Sequence, residues 1–166
     1  MIQVLVGPVA SGKSTYAKNA ARNGFICVND DDIVNLIHAN QYTLYDKSLK
    51  ILYKSIENHV VGTALAMDKK IIADRGLNIS VQGRKRWISL ANSFDAPCVA
   101  VVFQNEGAEI HAHRRFQTNS RGRTYEQWLE VALHHQKQYQ EPKIEEGFSG
   151  IHYISHEEIL AGKIIL

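Results

Sequence analysis

Gly7-Pro8-Val9-Ala10-Ser11-Gly12-Lys13-Ser14 carries the spacing G-x-x-x-x-G-K-S, in which each residue type has a part in holding phosphate. Glycines at 7 and 12 permit backbone conformations that aim successive N–H groups at phosphate oxygens. A helix opening at Lys13 adds the partial positive charge of its N-terminus. Lys13 can reach the β and γ phosphates of ATP, and the Ser14 hydroxyl is placed to ligate Mg²⁺, which neutralises charge as the leaving group departs. An apolar run, Ile2 to Val6, precedes the motif, and Thr15-Tyr16-Ala17-Lys18 continues it in helical fashion. The expected ATP contacts are therefore Gly7, Pro8, Val9, Ala10, Ser11, Gly12, Lys13, Ser14 and Thr15, with Ser14 the metal ligand. A glycine-rich turn without nucleotide is the alternative, and an eight-residue pattern in its required strand-turn-helix setting argues against it.

Transfer of a phosphoryl group also needs a carboxylate to accept the proton of the attacking hydroxyl. Asn29-Asp30-Asp31-Asp32 follows the second apolar run, at the sheet edge where α/β ligand sites form. The same acids could simply cap a helix and favour its dipole. Asp74 closes the third run, and Arg75, Gly76 and Asn78 follow it, so Asp32, Asp74, Arg75 and Asn78 are expected to line an acceptor pocket. A turn capped by Asp74 and bent at Gly76 is the plainer alternative. An arginine such as Arg75 can grip a substrate phosphate with two parallel hydrogen bonds.

Arg114 and Arg115 lie near the end of a helical pattern bearing Ala108, Ala112 and Phe116, and Arg121 and Arg123 occupy the polar stretch beyond it. These four are expected to form a lid, spanning about 106–123, that stabilises charge on the transferred group. From Arg84 to Arg123 there are seven basic residues against three acids. Arg84, Lys85 and Arg86 flank Trp87, which falls on an apolar helical face, so the triplet is expected to be a solvent face rather than a nucleic-acid platform. His111 and His113 point to different faces of one helix, and His134 and His135 are adjacent, so neither pair suggests a zinc site.

The elements that must position these groups alternate. Ile2 to Val6, Phe25 to Val28, Lys70 to Ala73, Cys98 to Phe103 and Ile151 to Ile154 read as buried strands separated by helical patterns, which implies a parallel α/β sheet. Tyr45, Leu49, Leu52, Ile56, Val60, Ala64 and Met67 make the stripe of a long helix that should pack on the sheet. Ser80 is placed to cap the helix carrying Trp87, and Thr124 with Gln127 forms a capping box ahead of Tyr125, Trp128 and Ala132. The 166 residues are expected to be one domain over 1–166, soluble and cytoplasmic, with no export leader and no apolar run long enough for a bilayer. Cys27 and Cys98 sit in apolar runs and are expected to be buried hydrophobes. A net charge of +2 does not by itself point to nucleic acid.

Taken in order, the strand, the G-x-x-x-x-G-K-S-T cradle, the Asn-Asp-Asp segment, the strand ending in Asp74 and the arginine-bearing lid resemble the P-loop kinase domain of polynucleotide 5′-hydroxyl kinases, over most of the chain. Gln138-Tyr139-Gln140-Glu141-Pro142 with Glu146-Gly147-Phe148 is similar to a stretch those kinases carry between the last helix and a final strand. The resemblance implies an α/β P-loop fold with a parallel sheet of about five strands, helices on both faces and an arginine-bearing lid. It implies Lys13 and Ser14 at the phosphate and metal positions, Asp31 as general base, Asp74 as an acidic acceptor-site residue, and Arg121 with Arg115 as catalytic lid arginines. Arg114 and Arg123 are expected to contact ATP.

Two departures bear on the acceptor. Asp30 stands where the family has arginine, and Val34 stands where phage members carry an arginine for the acceptor's 3′ phosphate. Arg75, at a position where the family usually has Thr or Asn, could supply that contact instead. The expected partner is accordingly a DNA or RNA hydroxyl. A hydroxymethylated base in DNA, a nucleoside or another small-molecule hydroxyl, and a regulatory ATP-binding module are the alternatives.

Overall fold

A computed structural model describes residues 1–118 and 122–165. Five strands form one wholly parallel sheet in the order β2-β3-β1-β4-β5, with β1 at Ile2–Val6, β2 at Ile26–Asn29, β3 at Ile71–Asp74, β4 at Cys98–Phe103 and β5 at Gly150–Ile154. The three central strands are buried along their whole length, which is why they read as continuous apolar runs instead of alternating ones. Gln3 and the terminal Asp74 of β3 are the polar exceptions. Gln3 is satisfied: its amide donates to the Ile165 carbonyl at 2.6 Å and accepts from the Tyr16 hydroxyl at 2.7 Å.

One face of the sheet is covered by α3 (Lys50–Ala66) and α4 (Val81–Asn92), whose Val61, Leu65, Trp87 and Ile88 meet the strand residues Ile2, Val4, Ile71 and Ala100. The other is covered by α1 (Lys13–Arg22) and α7 (His156–Leu160) through Tyr16, Ala20 and Ile159. Helix α2 (Asp30–Ile37) leaves the edge strand. Helices α5 (Ala108–Gln117) and α6 (Tyr125–Gln138) make a hairpin with a small core of its own, built from Ala108, Ala112, Trp128 and Ala132. Both expected caps form: Ser80 accepts from the Gly83 N–H at 3.1 Å, and Thr124 and Gln127 close a reciprocal capping box. Among the described residues no helix is long and apolar enough to cross a membrane.

Four sequence expectations need correction. Cys98 is buried but Cys27 is exposed, because β2 lies at the edge of the sheet and its Ile26 and Cys27 are left uncovered. The long helix begins at Lys50, not at Tyr45, which instead stacks on Tyr42 and Tyr53 after a 3₁₀ turn at Tyr42–Leu44. Its buried face is also rotated by a residue, to Tyr53, Glu57, Val61, Ala64 and Leu65, while Leu52 and Met67 are exposed. The carboxyl of Glu57 occupies a core position and hides that face from an apolar count.

Arg84 is the fourth. Far from facing solvent, it is fully buried and grips Glu146 with two bonds, Nε to Oε2 at 2.9 Å and Nη2 to Oε1 at 2.6 Å. Its Nη1 donates to the carbonyls of Asn78 and Gln140. The stretch from Gln138 to Phe148 thereby turns α6 back onto the sheet, with Phe148 in the core and Gly147 left-handed at φ 108°. Losing one partner of such a buried pair costs about 3–5 kcal/mol, because the other charge is left without compensation.

Candidate active site

The register that aligns Leu5 with Asp74 and Asp74 with Asn29 brings three strand ends to one edge. The loop after β1, the acids after β2 and Asp74 with Arg75 after β3 therefore meet around one cavity of about 560 Å³. It lies where successive strands run to opposite sides of β1, the usual crevice for ligands in open α/β sheets.

Its floor is the loop from Val9 to Thr15. Ala10 (φ 53°) and Gly12 (φ 98°) are both left-handed, a backbone in which N–H groups converge to form an anion-binding nest at the start of α1. Gly7 cannot be larger, since a Cβ there would stand 2.8 Å from the Phe103 Cβ. Gly7 and Pro8 lie beneath the cradle rather than on its surface, and their carbonyls accept from Lys13 Nζ at 2.8 and 2.6 Å. Burial pushes the Lys13 ammonium down to about 8; Asp74 opposes that shift and Arg115 adds to it. A bound polyphosphate would replace the missing solvation.

Asp74 lies closer to the phosphate side than the sequence placed it. Its Oδ2 is 3.4 Å from the Ser14 hydroxyl, and burial raises its pKa, with Lys13 pulling the other way. Ser14 and Asp74 are hard oxygen donors at the mouth of the cradle, the kind Mg²⁺ selects. Asp31 lines the same cavity, and its charge is felt at Asp74. The Asn29 side chain caps α2 by accepting from the Asp31 N–H at 2.8 Å, so the cap is provided by Asn29 and the Asp31 carboxylate is not needed for it.

Two acceptor-site expectations are corrected. Asp32 is exposed and does not line the cavity, because consecutive residues in the first turn of α2 point about 100° apart. Asn78 is fully buried: its amide nitrogen donates to the carbonyls of Leu5 and Ala73, and its oxygen accepts from Trp87 Nε1. It ties α4 to the sheet. Arg75 does line the cavity, with its Nε donating to the Asp30 carboxylate. The acid at 30, one of the two departures named above, is thus answered by the base at 75. Val34 is buried against Ile33 and Tyr53, well away from solvent.

The α5–α6 hairpin supplies the opposite wall with Arg114, Arg115, Arg123 and Trp128. Arg115 and Arg123 each stand 4.9 Å from the Trp128 ring centre, and Arg114 holds Glu106 with two bonds. Arg121 lies outside the described residues. His135, which the sequence did not single out, accepts from the Val9 N–H at 3.1 Å through Nδ1 and so fastens α6 to the cradle. Its only sequence signal is a histidine beside another on a helix. Nothing local says which of the two meets a loop 126 residues away.

That bond requires an unprotonated Nδ1. Burial, helped by the Lys13 charge, pushes His135 from 6.5 down to about 4. Between those values the unfolded chain binds more protons than the folded one, so the stability His135 contributes above pH 6.5 is lost as pH falls towards 4. Thermal unfolding across this window should fall more steeply for the wild type than for His135→Gln. Parallel slopes would remove His135 from this role.

Strand, cradle and helix, with carboxylates at the same sheet edge, define the P-loop kinase fold. The chain belongs to the AAA domain family AAA_33, whose profile matches residues 2–142. It is 30% identical over 154 residues to the bifunctional polynucleotide phosphatase/kinase of Schizosaccharomyces pombe (strain 972 / ATCC 24843), covering 90% of this chain and 32% of that protein. The chain thus spans about a third of that relative. Among solved structures it resembles a chain of the Pnkp1/Rnl/Hen1 RNA repair complex, with a TM-score of 0.65 and 19% identity over 84% of this chain and 46% of that one. It also resembles a gluconokinase from Sinorhizobium meliloti 1021, with a TM-score of 0.53 and 16% identity over 96% of this chain and 89% of that one. The sequence resemblance to polynucleotide kinase domains is therefore met again, and the fold is shared with small-molecule kinases.

Proposed function

We propose that this domain transfers the γ-phosphoryl group of ATP to the 5′ hydroxyl of a DNA or RNA strand. The observation that carries the reading is that Lys13 and Asp31 line the same cavity. The identity with a polynucleotide phosphatase/kinase supports the choice of acceptor. Asp31 takes the hydroxyl proton as the oxygen attacks Pγ, a new O–P bond forms, and the bond from Pγ to the bridging oxygen of ADP breaks. Lys13 and the loop N–H groups hold the β and γ oxygens, and Arg115 faces the developing charge from the lid, with Arg121 assigned beside it by resemblance. Mg²⁺, held by Ser14 with Asp74 beside it, would supply further charge neutralisation on the phosphates.

Incubation with labelled ATP and a panel of 5′-hydroxyl oligonucleotides, hydroxymethylated DNA and nucleosides tests this. Label on strand ends is the expected result. Label on internal bases or nucleosides alone would transfer the reading to a small or modified acceptor, which the likeness to a gluconokinase and the burial of Val34 favour. ATP binding without label on any acceptor would leave a regulatory module.

Asp74→Asn separates a metal-side role from an acceptor role. It should raise the Mg²⁺ concentration needed for half-maximal activity about 10- to 100-fold, the usual cost of losing a group that orients a metal site. The acceptor KM at saturating Mg²⁺ should change little. A raised acceptor KM with unchanged Mg²⁺ demand would return Asp74 to the acceptor pocket.

A further inference from the structure

Beside the active-site cavity lies a second one, also of about 560 Å³, that shares Arg75 and Leu77 with it. Lys50 and Lys54, one turn apart on α3, form one wall, and Lys85 and Arg86 on α4 form another. Ser80, Gln82 and Gln138 add neutral hydrogen-bonding groups. Among the described residues no carboxylate and no aromatic ring lines this cavity.

Its cations fall into two sets. Arg75 and Arg86 are turned onto carboxylates, Arg75 to Asp30 and Arg86 to the buried Glu57 at 2.6 Å. Lys50, Lys54 and Lys85 are exposed and make no ion pair among the described residues. Three like charges converging on a concavity repel one another, and a polyanion would relieve that repulsion. The sequence alone places Lys85 on a plain solvent face. Its convergence with two lysines of α3 appears only when the helices pack.

We propose that this second cavity holds internal phosphates of the acceptor strand whose 5′ end reacts beside Asp31. The inference rests on the polynucleotide reading above. Arg75 and Leu77, common to both cavities, form the border the strand crosses. With no ring to stack a base, the cavity reads the phosphodiester chain and not the sequence, so binding is salt-dependent and tolerant of base identity.

The test uses the full chain and a fluorescein-labelled single strand of about ten nucleotides, with binding followed by anisotropy as salt is raised. In Lys50→Glu/Lys54→Glu/Lys85→Glu, affinity at low salt should fall at least about tenfold. The slope of log K against log salt should be shallower by about 2, at about 0.7 per phosphate contact. The glutamine triple should move both in the same direction, and thermal unfolding checks that each variant is folded. The KM for a nucleoside 3′-monophosphate, too short to reach the second cavity, should be unchanged. Equal affinity and slope in wild type and variant, or a wild type that binds no strand, overturns the proposal. An equal loss for the mononucleotide overturns it as well, because the lysines would then be holding a phosphate at the reacting end. Strand binding decides the matter even if no oligonucleotide is phosphorylated, an outcome that would sink the kinase reading separately.

Discussion

Asp31→Asn should lower the turnover of phosphoryl transfer about 10²- to 10⁴-fold, the range a positioned general base contributes, and should leave ATP affinity close to that of the wild type. The amide has nearly the shape of the carboxylate and can still accept a hydrogen bond from the acceptor hydroxyl, but it cannot take the proton. Helix α2 keeps its start, since the cap is the Asn29 side chain on the residue 31 backbone N–H and the substitution leaves both in place. The lost favourable interaction with the helix dipole is about 0.3–1 kcal/mol, too little to unfold the domain. The loss should therefore fall on kcat with a small change in acceptor KM, read in single-turnover assays alongside ATP binding by calorimetry. Undiminished turnover would show that another group takes the proton. A matching loss of ATP affinity would show that the substitution had disturbed the cradle.

What the sequence could disclose depended on whether the relevant contacts were local. The cradle is contiguous, and Gly7, Gly12, Lys13 and Ser14 are constrained by one turn of backbone, so their placement followed from spacing. The central strands are apolar along their length because both faces are covered, and they were legible for that reason. Strand order was not: Cys27 looked like a core residue until β2 proved to be an edge. Buried charge misled twice, at Glu57 and Arg84, because a single sequence cannot show that Arg86 or Glu146 will arrive to compensate. Asp32 and Asn78 are within a few residues of true cavity-lining groups, and only the turn of α2 and the packing of α4 separate them from it. His135 entered the site through α6, a contact with no local signature.

Lys13→Met should abolish most transfer while leaving the nucleotide-free protein about as stable as the wild type. The charge is held where burial disfavours it: a shift from 10.5 to about 8 corresponds to about 3–4 kcal/mol at about 1.4 kcal/mol per unit. Methionine fills a similar volume without that charge. It also gives up the bonds of a charged donor to the Gly7 and Pro8 carbonyls, at about 1.5–3 kcal/mol each, so the two effects roughly cancel. The sign with pH is definite. Below pH 8 the lysine is protonated in both states and the cost is fully present; between 8 and 10.5 the unfolded chain binds more protons, so the wild type gains stability on the variant as pH rises. Turnover should drop about 10²- to 10³-fold or more, as for other charge-stabilising donors aimed at a transition state. The stabilisation that saturating Mg-ATP should give the wild type, about 2.7 kcal/mol at a hundredfold excess over Kd and read as a rise in thermal midpoint, should largely disappear. A variant several degrees less stable at pH 7 would instead make the ammonium a strut for the loop. Equal stability gains from Mg-ATP in both proteins would mean that the nest of N–H groups, and not Lys13, carries the affinity for the phosphates.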